Sequence, residues 1–259
     1  MSERGRGGDA LGTLVVLAAL LVAWEIAVAL FAPPPILLPA PTAILAELAA
    51  APGYFGRHAL FTLGTTLAGF ALSVVLGVAL AVATIASRLA DRLVTTLLVV
   101  TNSLPKVALA PLFVIWMGTG AAPKIAIAVM LAIVSIVADV AHGLRSVDPD
   151  ALALARVHRA SPWAVLWKVR FPNALPALFV GMKVAVSFAL VGAIVGEFVA
   201  GSMGLGHVIL VAQGQFDTVR VFAALTVLGV LGTALFGLLE LAERLVLPWH
   251  VSRRSERKA

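Results

Sequence analysis

Apolar residues run through this chain in six stretches, at about 11–32, 59–87, 93–116, 121–141, 174–196 and 221–239, separated by short polar connections. Each is close to the roughly 20 residues that a helix needs to cross a hydrocarbon layer. Helices are expected for all six, because an isolated strand leaves its backbone polar groups unpaired in lipid. The first run follows Arg4 and Arg6 and precedes ALFAPPP, but at about 22 residues it exceeds the apolar core of a cleaved leader and is expected as an uncleaved span. A further uncharged stretch, FVAGSMGLGHVILVAQGQF at 198–216, competes for a seventh span. Its four glycines, histidine and two glutamines suit an outer-face loop with a short interfacial or re-entrant helix better.

Composition agrees with a membrane protein. Hydrophobic residues make up 61% of the 259 positions and charged residues 12%, where a soluble domain carries about twice that charge. The net charge of +6 does not point to nucleic acid, because the basic residues sit in short loops and a tail beside apolar spans. With the N-terminus inside, Arg4, Arg6, Arg88, Arg92, Arg145, Arg156, Arg159, Lys168, Arg170, Arg244, Arg253, Arg254, Arg257 and Lys258 all face the cytoplasm. Only Arg57, Lys124 and Arg220 fall outside, so both termini are expected in the cytoplasm. The domain plan is a cytoplasmic tail at 1–10, a transmembrane domain at 11–247 with its longest cytoplasmic loop at 142–173, and a basic cytoplasmic tail at 248–259. Cysteine is absent, which rules out disulfides and thiolate metal sites.

That long loop breaks the apolar pattern. In SVDPDALALARVHRASPWAVLWKVRFP, Asp148 or Asp150 can cap a helix after the Pro149 turn, and Ser161 followed by Pro162 reads as the start of a second short helix ending before Pro172. A bend near Arg159 to Ser161 then exposes Ala155, Ala160 and Trp163 beside the cations. Two readings stay open on composition: a connector resting on lipid headgroups, or a knob that enters a groove on a soluble partner.

The same loop resembles the signature loop of the permease subunits of binding-protein-dependent ABC importers: Glu-Ala-Ala, three residues, Gly, nine residues, Ile, one residue, Leu-Pro. Ala153, Leu154 and Ala155 stand at the Glu-Ala-Ala, Arg159 at the glycine, Val169 at the isoleucine and Phe171-Pro172 at the Leu-Pro. The spacing fits, while the glutamate and the glycine are missing. LLPAPTAIL, SLPKVALAPLFVIWMGTG, GLRSVDPD and GSMGLGHVI are similar to the branch serving nitrate, sulfonate, taurine and thiamine-precursor uptake, over roughly residues 36 to 245. The resemblance implies an all-α polytopic membrane protein with six transmembrane helices, type I importer permease-like, in the bacterial inner membrane. It also implies a separate cytoplasmic ATPase, an extracytoplasmic solute-binding protein delivering substrate to the loops at 33–58 and 197–220, and a second permease copy, expected as a homodimer. A helix near 153–163 is implied to dock on the ATPase, through Ala153, Ala155, Arg156, Arg159, Ala160, Ser161 and Trp163. With arginine at the glycine position, the backbone there is expected to avoid positive φ or to carry about a kilocalorie per mole of strain.

Catalytic chemistry is not expected of this chain. It has no Gly-x-x-x-x-Gly-Lys loop to hold nucleotide phosphates, so ATP and its magnesium belong to the partner and no cofactor is expected here. His58, His142, His158, His207 and His250 are scattered without metal-binding spacing. Charges at membrane depth are more informative, because they normally face a bundle interior or a water-filled cavity. Lys106, between Pro105 and Pro111, and Lys183 are candidates for an anion's path together with Asn102, against the alternative that both lysines snorkel to the headgroups. Glu25 is expected in a structural role, and Asp139, Glu197 and Asp217 as solvated anchors at span boundaries. Gly192/Gly196 and Gly69/Ser73/Gly77 form small-residue faces that allow close helix contact, within the chain or with a second copy. The competing function is a secondary transporter driven by an ion gradient, which mid-membrane acids and an inverted repeat would mark.

Overall fold

The computed structural model describes residues 3–248, with side chains from residue 15 onward, and every regular element among them is helical. The tail cations Arg253, Arg254, Arg257 and Lys258 lie outside the described residues, as does His250. In chain order the helices are α1 (Glu3–Phe31), α2 (Pro41–Ala50), α3 (Pro52–Ala86), α4 (Arg88–Ser103), α5 (Ala110–Met117), α6 (Ala121–Arg145), α7 (Pro149–Val157), α8 (Pro162–Val165), α9 (Phe171–Ala200), α10 (Leu205–Gly214) and α11 (Thr218–Val246). Residues 3–10, expected as a tail, are thus the first turns of α1.

All six apolar runs lie on helices, but not all as single rods. Pro52–Ala86, Ala121–Arg145, Pro162–Ala200 and Thr218–Val246 are each long and apolar enough to cross a membrane. The first run occupies α1, where Val15–Phe31 is the apolar part. The third is broken: Arg88–Ser103 and Lys106–Met117 meet at 88°. Leu104 precedes a proline, which disfavours helical ψ, and its backbone is extended at φ −86°, ψ 139°. The stretch competing for a seventh span carries only the ten-residue α10, too short to cross.

The small-residue faces pack within the chain. Ala128 of α6 sits between Gly69 of α3 and Gly192 of α9, where a Cβ on either glycine would lie 2.5 Å from it. Gly77 meets Ile136 in the same way, and Gly196 meets Lys124. α6 therefore forms the axis of the bundle, and the core around it is mostly alanine: Ala81, Ala128, Ala132, Ala174, Ala185 and Ala189, with Ile136, Val140 and Leu144. Backbones this close gain dispersion along their whole length, which is how helices associate in lipid without a hydrophobic driving force. A second cluster joins α2, α3, α10 and α11 through Ile44, Phe55, Leu205, Val208, Ala223 and Leu228.

Candidate functional site

The loop between α6 and α9 is built as a clamped protrusion. At its base, Arg170 donates to the Leu144 carbonyl at 2.8 Å, and Asn173 donates to the Gly143 carbonyl at 3.1 Å. Both satisfy carbonyls in the last turn of α6, which its own helix cannot. Arg145 pairs with Asp91 at 2.5 Å, fastening the same end of α6 to the start of α4. Beyond the base, Asp148 caps α7 through the Asp150 N–H at 2.8 Å, and Ser161 caps α8 through the Ala164 N–H at 3.2 Å. α7 buries none of its side chains.

The two helices and their bend are as expected, with two differences, and the structure decides between the two backbones expected at Arg159. The segment 153–163 is not one helix: α7 stops at Val157, and a turn closed by Ala160 N–H donating to the Ala155 carbonyl leads to α8. Arg159 takes φ +49° in that turn, so the strained alternative is the one adopted. Nor does the second helix end before Pro172. A wide turn over Leu166–Arg170, with the Phe171 N–H donating to the Leu166 carbonyl, carries it into α9. Such π turns absorb one extra residue in a helix.

Ala153, Arg156, Arg159, Ala160, Ser161 and Trp163 are exposed, while Ala155 is half-buried. Leu154, Val157 and Trp163 project as apolar knobs beside the cations, 60%, 79% and 67% exposed. Trp163, Trp167 and Phe171 form an aromatic row with ring centroids 5.6 and 5.0 Å apart, one turn per step.

The membrane-depth candidates separate. Lys106 donates to Asn102 at 2.9 Å across the break between α4 and α5, so these two candidates share one place. Lys183 lies elsewhere, ion-paired with Glu243 of α11 at 2.5 Å and with its amine 5.8 Å from the Phe236 ring. That pair is 17% and 8% exposed, and it fastens α9 to α11. Glu25 accepts from the Thr42 N–H and hydroxyl at 3.1 and 2.8 Å, capping α2 from α1, a structural role. Asp217 is the cap of α11, accepting from the Arg220 N–H at 3.0 Å, and Arg220 reaches on to Glu47 of α2.

Glu197 is not a solvated anchor. It is fully buried, and its carboxylate accepts from the Thr62 hydroxyl and from the Gly206 N–H, both at 2.8 Å. Lys124, expected on the outer side, is 1% exposed and donates to the carbonyls of Thr119, Gly120 and Ala200. Thr62, Lys124 and Glu243 went unnoticed as partners. A lone charge beside a long apolar run was the available signal, since such a group is retained only with a partner.

Residues 73–247 match the family described as binding-protein-dependent transport system inner membrane component. The riboflavin transport system permease protein of Chloroflexus aurantiacus is 36% identical over 94% of this chain and 91% of its own length. The formylaminopyrimidine transport permease of Halalkalibacterium halodurans is 32% identical over 94% and 98%, and the taurine transport system permease of Escherichia coli 26% over 93% and 89%. A chain from a crystal structure of an amino acid ABC transporter shares the fold, with a TM-score of 0.59 at 16% identity over 78% of this chain and 97% of that one. An all-helical bundle with a clamped loop between its two central helices, matched by the family model over residues 73–247 and by a 36% identical relative over 94% of this chain, is a member of the inner-membrane permease family of binding-protein-dependent ABC importers.

Proposed function

We propose that this permease forms, with a second copy of itself, the path of an ATP-driven importer, and that α7 with the turn 158–163 is the lever gripped by a separate cytoplasmic ATPase. The observation that carries this reading is the loop's construction: a base tied to α6 through Arg170 and Asn173, and an exposed tip that carries Leu154, Val157 and Trp163 in the same segment as Arg156 and Arg159. Apolar knobs ringed by cations suit a groove with an acidic rim. The tip continues without interruption into the 39-residue helical rod Pro162–Ala200, so motion of the tip reaches the centre of the bundle. Asn102 and Lys106, at the broken third run, are the candidate path residues. The Lys183–Glu243 pair supports a fastening role for Lys183 instead.

Both termini are cytoplasmic in this reading, and a solute-binding protein docks on the opposite face, at 33–58 and 197–220. The relatives of 36% and 32% identity carry names of riboflavin and formylaminopyrimidine transport, and those of 27% and 26% names of sulfonate and taurine transport. A small nitrogen heterocycle is therefore the first substrate class to test, and a small sulfonate the second.

Reconstitution with the ATPase and binding protein tests the reading. Uptake is expected to require both proteins and ATP, and the charge reversals Arg156→Glu and Arg159→Glu to reduce co-purification with the ATPase. Uptake driven by a proton or sodium gradient alone would overturn it in favour of a secondary transporter.

A further inference from the structure

The end of α9 opposite the lever holds a buried polar cluster that the transport reading leaves unused. α10 begins at Gly204, φ +110°, and has no capping side chain of its own. Its first N–H groups are instead taken by other helices: Gly206 donates to Glu197 of α9 at 2.8 Å, and Leu205 donates to the Thr62 hydroxyl of α3 at 2.9 Å. The Thr62 hydroxyl in turn donates to Glu197 at 2.8 Å, so one carboxylate collects both routes. His58 of α3 lies 3.0 Å from the Gly204 nitrogen, and Lys124 of α6 holds the Ala200 carbonyl at 3.2 Å, just before the turn. The fit leaves no slack: a Cβ at Gly204 would fall 2.1 Å from the Glu197 carboxyl carbon, and one at Gly206 would fall 2.9 Å from the Glu197 Cβ.

Every bond to Glu197 in this cluster is one it accepts. An amide in its place keeps one acceptor oxygen and turns an N–H₂ either toward the Gly206 N–H or toward the Thr62 hydroxyl, whose own proton then loses its acceptor, so glutamine does not reproduce the arrangement. Leaving buried donors unpaired is expensive, which makes the carboxylate the determinant of where α10 sits.

We propose that Glu197 is the positioning residue that locks α10 onto α3 and α9, so that the face receiving the solute-binding protein is rigidly joined to the rod whose other end is the ATPase lever. The functional half rests on the transport reading above; the lock itself does not.

Hydrogen exchange of the full chain in nanodiscs tests the lock. In Glu197→Gln, amides of 203–209 are expected to exchange about tenfold faster, the effect of losing one hydrogen bond to a charged group, with 125–140 unchanged. Thr62→Val should reproduce this and Thr62→Ser should not, so a variant that fails to accumulate still leaves a comparison. With the ATPase bound, ATP hydrolysis is then titrated with solute-loaded binding protein. Half-maximal stimulation is expected at several-fold higher concentration in Glu197→Gln, with the maximum retained. Unchanged exchange at 203–209 overturns the lock, and faster exchange with unchanged half-stimulation overturns its role in transport. Failure of the wild-type chain to bind the ATPase sinks the transport reading, and the exchange comparison still decides the lock.

Discussion

Arg159 holds φ +49° at the tip of the lever, where the resembling family carries glycine. A side chain in the left-handed region costs about 1–2 kcal/mol, and glycine there costs little beyond its greater freedom in the unfolded chain. Arg159→Gly is therefore expected to stabilise the purified protein by about 1 kcal/mol, read as a higher melting temperature. Arg159→Ala removes the same charge but keeps the strain, so it should give no comparable gain. Equal melting shifts in the two variants would mean that charge, not backbone, governs the site. The arginine persists at a strained position on an exposed tip, which fits a contact outside this chain. Among the described residues, the buried charges are matched locally, as Lys183 with Glu243 and Glu197 with Thr62 and Gly206 show. Sequence made each charge visible but not its burial, since burial depends on which helix folds back over it.

Among elements, glycine marks the contacts and proline marks the breaks, with unequal legibility. The small-residue faces of α3 and α9 were readable as faces, but their common partner was not, because an alanine-rich α6 looks like any apolar helix until Ala128 is found between Gly69 and Gly192. Gly192→Ala is expected to destabilise the bundle by about 2 kcal/mol, because the new methyl must enter the backbone of α6. Gly64 of α3 has nothing within 4 Å of its would-be Cβ, and Gly64→Ala should stabilise by up to about 1 kcal/mol through helix propensity. Thermal melts of both variants in one detergent check the pair, and a loss at both positions would show that propensity and packing do not separate here. Prolines misled in both directions. Pro105 gives an 88° break inside a run expected as one span, while Pro172 and Pro176 are carried inside a continuous rod. The residue before Pro105 leaves helical ψ, whereas Phe171, before Pro172, stays helical at φ −65°, ψ −46°. Contacts with α6, such as Ala174 and Ala177 against Gly143, hold the rod straight enough to override the local preference.

For the whole molecule, the proposed reading gives the two ends of α9 different tasks and requires them to lie on different sides of the membrane. Its 30 residues span roughly 45 Å, more than the hydrocarbon thickness of about 30 Å, so the lever at one end and α10 at the other emerge into separate compartments. Which compartment is which follows from the cations. Arg145, Arg156, Arg159, Lys168 and Arg170 gather at the lever end, while the opposite end keeps Arg57, Lys124 and Arg220, the last already paired with Glu47 and Asp217. In the proposed reading, this bias assigns the lever to the cytoplasm, where an ATPase partner would meet it. The chain has no cysteine, so a single introduced thiol reports one position without background. His158→Cys, in the exposed turn after α7, is expected to react with a membrane-impermeant maleimide only in inverted vesicles. Phe216→Cys, at the 75% exposed turn between α10 and α11, should react in intact spheroplasts. The opposite labelling pattern would put the lever on the side with no ATP, and the coupling role of α7 would fall with it.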